Sequence, residues 1–208
     1  MGGGKKKRQS RTSEQLILDD FNAAVSEIHK GSDRVAAIMG GTVVDAALTA
    51  AIMSKLDDPS DAAKLFDDLR GPFSNFYSRI LAGKVLGLFD ADTADELHRI
   101  RQIRNVFAHS MASLDFTSAQ IAEKCANLRH GVQDAHKSRG ISDQRGGYED
   151  ACYALFTQLL LIWKVNVESL AGEIRLAKAE GRKADAKRLI DRLCMLRDRI
   201  FASDKGSD

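Results

Sequence analysis

Proline is nearly absent from this chain, at two of 208 residues, and cysteine is scarce, at three. Few prolines mean that helices can run long without the breaks imposed by a missing amide and a fixed φ. The cysteines, Cys125, Cys152 and Cys194, are odd in number and far apart. No Cys-x-x-Cys occurs, so neither a disulfide framework nor a thiolate zinc site is expected. Three free thiols suit a reducing cytoplasm. Val, Ile and aromatic residues do not gather in alternating runs, which removes the signal of a β-sheet. The longest apolar run, Leu159–Val165, is broken by Lys164 and is far shorter than the ~20 residues that cross a bilayer. The opening Met1-Gly-Gly-Gly-Lys-Lys has neither the apolar stretch of a secretory leader nor the Ser or Thr of a myristoylation site. No membrane partner is expected.

Several signatures of chemistry are missing as well. There is no GxGxxG turn and no phosphate-loop lysine motif, so a nucleotide cradle is not expected. No nucleophile elbow supports Ser/His/Asp catalysis. His130 and His136 flank a polar stretch but lack a third ligand at metal spacing. Neither a cofactor nor a bound metal is expected.

What is present is helical material. Hydrophobic residues make up 44% and charged residues 29% of the chain, enough for one domain with a substantial core. The net charge of +2 hides an uneven layout. Lys5, Lys6, Lys7, Arg8 and Arg11 crowd residues 1–12 with no acid among them. Basic residues also exceed acidic ones across Glu173–Arg199. The middle is therefore acidic, unlike a compact nucleic-acid-binding core. The basic arm is suited to weak, salt-sensitive contact with nucleic acid.

The periodicity predicts an all-α bundle of seven or eight helices. Residues 1–12 form a basic arm, 13–180 the bundle, and 181–208 a charged amphipathic helix with a tail. A first helix runs from Ser13 to about Lys30, where Gly31 suits a left-handed cap. Ser32 and Asp33 cap a second helix to about Leu56, apolar nearly all round and therefore central. Gly40-Gly41 inside it predicts a close crossing or a kink. A short helix or turn is expected over Ser60–Leu69, then a helix over Phe73–Phe89. Thr93-Ala-Asp-Glu96 and Thr117-Ser-Ala-Gln120 have the form of capping boxes. Gly131–Gly147 predicts a mobile loop. A long helix follows from about Tyr148 to Glu180, Gly181 ends it, and Arg182–Phe201 makes the last. Its row of Leu189, Ile190, Leu193, Leu196 and Ile200 predicts docking on the bundle, a second protomer or a partner.

One stretch combines chemistry with rhythm: Ile100-Arg-Gln-Ile-Arg-Asn-Val-Phe-Ala-His-Ser110. At ~100° per residue, Leu97, Ile100, Ile103 and Phe107 fall on a core face. Arg101, Asn105 and His109 fall on another face, with Arg104 at the border and His98 beside them. Such a stripe can bind an anion and move a proton near neutral pH. The alternative is structural: Arg101 and Arg104 could pair with acids such as Asp33 or Asp45, and Asn and His could satisfy backbone groups. Tyr77 and Arg79 could border the same polar cleft, or lie on the surface while Phe73, Phe76 and Ile80 fill the core.

Arg104-Asn-Val-Phe-Ala-His109 is similar to the R-x4-6-H motif of the HEPN superfamily of helical bundles. Catalytic members are metal-independent ribonucleases that act as dimers. That resemblance implies Arg104 on the phosphate, His109 as acid/base or 2′-hydroxyl orienter, and Asn105 as polar partner. A longer resemblance runs through Ser32–Asp45 (SDRVAAIMGGTVVD), Lys64-Leu-Phe66, Gly71–Ile80 (GPFSNFYSRI), Gly87-Leu88 and Ile100–Ser110, in that order. Over roughly residues 16–130 the chain resembles the mannitol operon repressor (MltR) family, with Asp33, Arg34, Asp45 and Arg79 among the matching positions. This implies a compact helical protein tied to control of mannitol uptake and metabolism genes. The resemblance also implies that there is no helix-turn-helix and that the protein works through protein partners; a homodimer is expected. The basic arm and the C-terminal helix pair lie outside that match.

Overall fold

Gly40 and Gly41 set the centre of the architecture. In the computed structural model, which describes residues 13–57, 61, 64–67, 70–129 and 143–200, they lie midway along α2 (Asp33–Lys55). A Cβ on Gly40 would stand 3.0 Å from Tyr148 Cε1 and 3.1 Å from Cys152 Sγ. A Cβ on Gly41 would stand 2.8 Å from both Cβ and Cγ of Arg104. Two consecutive residues thus admit two different helices at close range. The expected crossing is present.

The described residues form seven helices: α1 (Ser13–Lys30), α2, α3 (Phe76–Val85), α4 (Ala91–His109), α5 (Ala119–Ala126), α6 (Asp143–Ala179) and α7 (Lys183–Ile200). No strand occurs among the described residues. The chain is an all-α bundle, as its periodicity predicts. α2 is the hub: it packs most extensively on α6 and also meets α1, α3, α4 and α7. It is also long and apolar enough to cross a membrane by composition. Here that apolarity is spent on neighbours, with Ala36, Ala37, Val44, Leu48, Ala51 and Ile52 fully buried. Around it the core takes Ile80, the Leu97–Ile100–Ile103–Phe107 face, Phe116, Tyr148, Leu155 and Leu159.

Several boundaries differ from the sequence expectation. Gly31 keeps an ordinary φ; a Cβ there would meet Val35 Cγ1 at 2.6 Å, so close approach rather than handedness calls for glycine. Ser32 is the cap of α2, its Oγ accepting from the Val35 amide, while Asp33 opens the helix and binds elsewhere. The helix foreseen over Phe73–Phe89 is shorter. Asn75 caps it at Phe76, and Gly87, at φ +67°, ends it with Leu88 N donating to Gly83 O. Gly181, at φ +73°, ends α6 the same way, through Arg182 N to Ala177 O.

Neither expected capping box forms. Asp90 caps α4 by accepting from the Thr93 amide, and Glu96 is instead buried, accepting from the Arg129 amide. Ser118 caps α5 without a side-chain bond; Asp115 Oδ1 accepts from the Thr117 and Ser118 amides. The predicted loop is partly helix, since α6 begins at Asp143 and contains Gly146 and Gly147. Residues 131–142, with His136, and also His130, lie outside the described residues, as do residues 1–12, much of 58–69 and the tail beyond Ile200. The α7 row docks on the bundle: Leu196 is buried, and Leu189, Ile190 and Leu193 pack against the core. Arg192 ties α7 to α2 through Ser54 O and to Asp57 just beyond it.

Candidate functional site

The stripe read from the sequence lies on α4, and its two faces separate as the helical angle requires. Leu97, Ile100, Ile103 and Phe107 are fully buried. Arg101, Arg104 and Asn105 are half-buried and His109 is exposed. Arg104 packs its aliphatic stem against Gly41 and donates from Nη1 to Asn105 Oδ1 at 3.1 Å. Arg101 lays its guanidinium over the Tyr77 ring at 5.3 Å, and its buried Nε has no hydrogen-bond partner. The Tyr77 ring also lies 5.3 Å from that of His98. Burial holds the His98 imidazole below its ordinary range, helped by the Arg101 and Lys84 charges and opposed by Asp95.

The pairing expected for these arginines is not what forms. Neither Arg101 nor Arg104 bridges to Asp33 or Asp45. Asp45 belongs to Arg79, whose Nη1 reaches its Oδ2 at 2.9 Å. Arg79 also donates to the carbonyls of Phe73 and Ser74. Its side chain is only 15% exposed, so it is not the surface residue one reading allowed; it pins the 71–75 turn to α2. Burial raises the Asp45 carboxyl, against the lowering pull of Arg79 and, more weakly, of Arg104. Tyr77 does border the polar stripe, 49% exposed.

Asp33 and Arg34 bind the far end of α4. Arg34 Nη1 donates to Phe107 O at 2.7 Å and Ser110 O at 2.8 Å, and Nη2 to Ala112 O at 2.8 Å. Helix-end carbonyls lack intrahelical partners, and a guanidinium satisfies them with charge-assisted bonds. Asp33 Oδ2 accepts from the Phe116 amide and Oδ1 from Arg145 Nη1, both at 2.9 Å. Arg145 in turn donates to Glu149 Oε1 and to Ile28 O. The start of α2 thus fixes the chain just after the stripe, including the segment next to His109. Sequence reasoning missed the roles of Arg145, Glu149 and Tyr148: the glycines nearby put Arg145 in a loop, and the partners of Tyr148 and Glu149 are distant in sequence or lie on that missed turn. Tyr148 is fully buried, with its hydroxyl donating to Ala37 O at 2.7 Å.

Beside the stripe lies an apolar row. Tyr77, Leu81 and Val85 sit at i, i+4 and i+8 of α3, and Val85 is 87% exposed. Lys84 is exposed near one end of the row and Arg101 lies over Tyr77 at the other. Among the described residues neither cation has a carboxylate partner. No cluster of three or more His, Cys, Asp or Glu side chains among the described residues could hold a metal.

The class defined so far is an all-α bundle with a cationic stripe on one helix and an exposed apolar row on the next. No protein-family model, curated protein or solved structure matches this chain.

Proposed function

We propose that this protein is a helical regulator of the mannitol operon repressor type, cytoplasmic, acting through protein contact rather than a DNA-reading helix. The observation that carries the reading is the union of the exposed Tyr77–Leu81–Val85 row with the unpaired Arg101 and Lys84. Contiguous exposed apolar side chains rimmed by charge mark protein contact more often than catalysis. A homodimer is part of the proposal. On α6, Tyr153, Leu161 and Val165 are each more than half exposed at positions one or two helical turns apart. The basic arm, Lys5, Lys6, Lys7, Arg8 and Arg11, adds weak nucleic-acid contact in this reading. Deleting the gene is expected to raise transcripts for mannitol uptake and metabolism. Wild-type protein restores repression and Leu81→Asp does not; unchanged transcripts after deletion would sink the proposal.

A metal-independent ribonuclease is the second reading. It is favoured by two observations: among the described residues Arg104 bonds only the neutral Asn105, and His109 is exposed on the same helix. Arg104 would then stabilise phosphate charge and His109 transfer a proton. Purified protein in EDTA, tested on a broad RNA panel, decides it. Cleavage lost in His109→Ala supports the enzyme, and no cleavage by wild type removes it.

A further inference from the structure

From the α3–α4 face we infer the chemistry of its partner: an acidic amphipathic helix of another protein, lying along the Tyr77–Leu81–Val85 row with carboxylates on Arg101 and Lys84. This deepens the regulatory reading above and rests on it.

Four observations converge. The row is apolar, exposed and helical in spacing, about 12 Å long at 1.5 Å per residue, which matches two to three turns of a docked helix. Leu81 is 43% exposed and Val85 87%, so a partner side chain has area to cover. The cations border the row, with Arg101 over Tyr77 at one end and Lys84 next to Val85 at the other. Neither has a carboxylate partner among the described residues, and Arg101 is only half-buried and Lys84 exposed, so both charges can be reached from solvent. Such cations gain from an anionic acceptor. The place of Arg101 over the Tyr77 ring, 5.3 Å from the centroid, restrains the guanidinium, so less side-chain freedom is lost on docking.

The facing groups set the sign. His98, whose hold on a proton is weakened by burial and by its cationic neighbours, brings no negative charge in either protonation state. Asp95 is the acid that acts on this corner, against Arg101 and Lys84. Two cations and one acid thus act on this corner, and a basic helix meets repulsion from Arg101 and Lys84 there. Nucleic acid would satisfy the cations but leave Leu81 and Val85 uncovered. A second copy of this chain would satisfy the apolar row only if it brought acids to both ends.

The test uses the full chain and a fluorescein-labelled helical peptide of about fourteen residues, with Leu on one face and Glu on the rest. A twin peptide carries Lys for Glu. Fluorescence anisotropy should show saturable binding of the acidic peptide, weakening with salt, and none of the twin. Leu81→Asp and Arg101→Glu should each weaken it about tenfold or more, as expected for central anchors of an interface. Circular dichroism of both variants should match wild type, since both side chains border solvent. Equal binding of the two peptides overturns the proposal, as does indifference to both variants. So does a dimer that Leu81→Asp dissolves in sedimentation, or a single-stranded RNA whose binding Arg101→Glu abolishes. If the peptide fails while Leu81→Asp still loses repression, the partner chemistry is wrong and the regulatory reading survives.

Discussion

Arg34 holds the carbonyl of Phe107 at 2.7 Å, across 73 positions of sequence. One side chain from the first turn of α2 thereby closes the last turn of α4. The neighbouring Asp33 secures the chain again at the Phe116 amide. Two adjacent residues of opposite charge thus anchor one segment from both of its backbone polarities, donor and acceptor.

Arg34→Lys is expected to destabilise the fold by roughly 1–3 kcal/mol, because a lysine ammonium cannot reproduce the planar fork that serves three carbonyls. Urea unfolding gives the number. Chemical shifts of His109 should move in the same variant, since its helix end is released. An unchanged midpoint with unchanged shifts would show that the clamp is incidental.

Gly41→Ala tests the crossing. In an open helix the exchange stabilises by about 1 kcal/mol. Here the new Cβ would stand 2.8 Å from the Arg104 stem. Overpacking of that kind costs roughly 1–3 kcal/mol, so the net change should be a lower Tm. A raised Tm would mean that α4 moves aside without loss.

Arg145→Met removes the cation shared by Glu149 and Asp33. The Arg145 and Glu149 side chains are 8% and 6% exposed, so a buried carboxylate is left with a weaker set of partners. Loss of one member of such a network costs about 3–5 kcal/mol. Urea unfolding at neutral pH should show that loss, and Glu149→Gln in the same background should recover part of it by removing the charge that Arg145 no longer balances. A single Arg145→Met variant as stable as wild type would contradict the network.

His98 gives a pH signature. Its folded-state affinity for a proton is lowered, chiefly by burial and then by Arg101. The unfolded chain therefore binds the proton more tightly. This group's contribution is whole above its ordinary value near 6.5, and is lost as pH falls through that value toward the folded one. His98→Gln should flatten the stability slope between neutrality and pH ~5. A slope unchanged by the substitution would remove His98 from the titration.

Thiol labelling separates the three cysteines. Cys194 is exposed, whereas Cys125 and Cys152 are buried. Burial pushes the Cys125 thiol up to about 12 and raises Cys152 as well. One thiol should react quickly with a disulfide reagent in the native protein and the other two only on unfolding.

Most of the fold was legible because the apolar period is strong. α1, α2, α6 and α7 are long, and Gly31, Gly40-Gly41 and Gly181 sit at their ends or crossings. The core face of α4 was legible to the residue. The starts of α4 and α5 were not, since several residues near Asp90 and Ser118 can cap, and tertiary contact decides which one does. Glu96 fits a capping box by spacing, yet it is drawn inward to the Arg129 amide. The stripe was legible as a set of positions, but its partners were not. The Arg79–Asp45 and Arg145–Asp33 pairs span 34 and 112 positions, and no local pattern announces such pairings. The α3 row was not legible: the sequence admits Tyr77 at the polar cleft or on the surface, and nothing local marks Leu81 and Val85 as exposed beside it.

The place of α2 in the bundle has a consequence for biosynthesis. The most apolar helix is completed by residue 55, but its principal cover, α6, begins only at residue 143. Gly40 has no neighbour to meet until Tyr148 and Cys152 leave the ribosome. At ~5–20 residues per second, the nascent chain carries the α6-facing side of its hub uncovered for several seconds or more. Premature termination before α6 releases a polypeptide with that surface uncovered, a natural substrate for holdase chaperones and proteases.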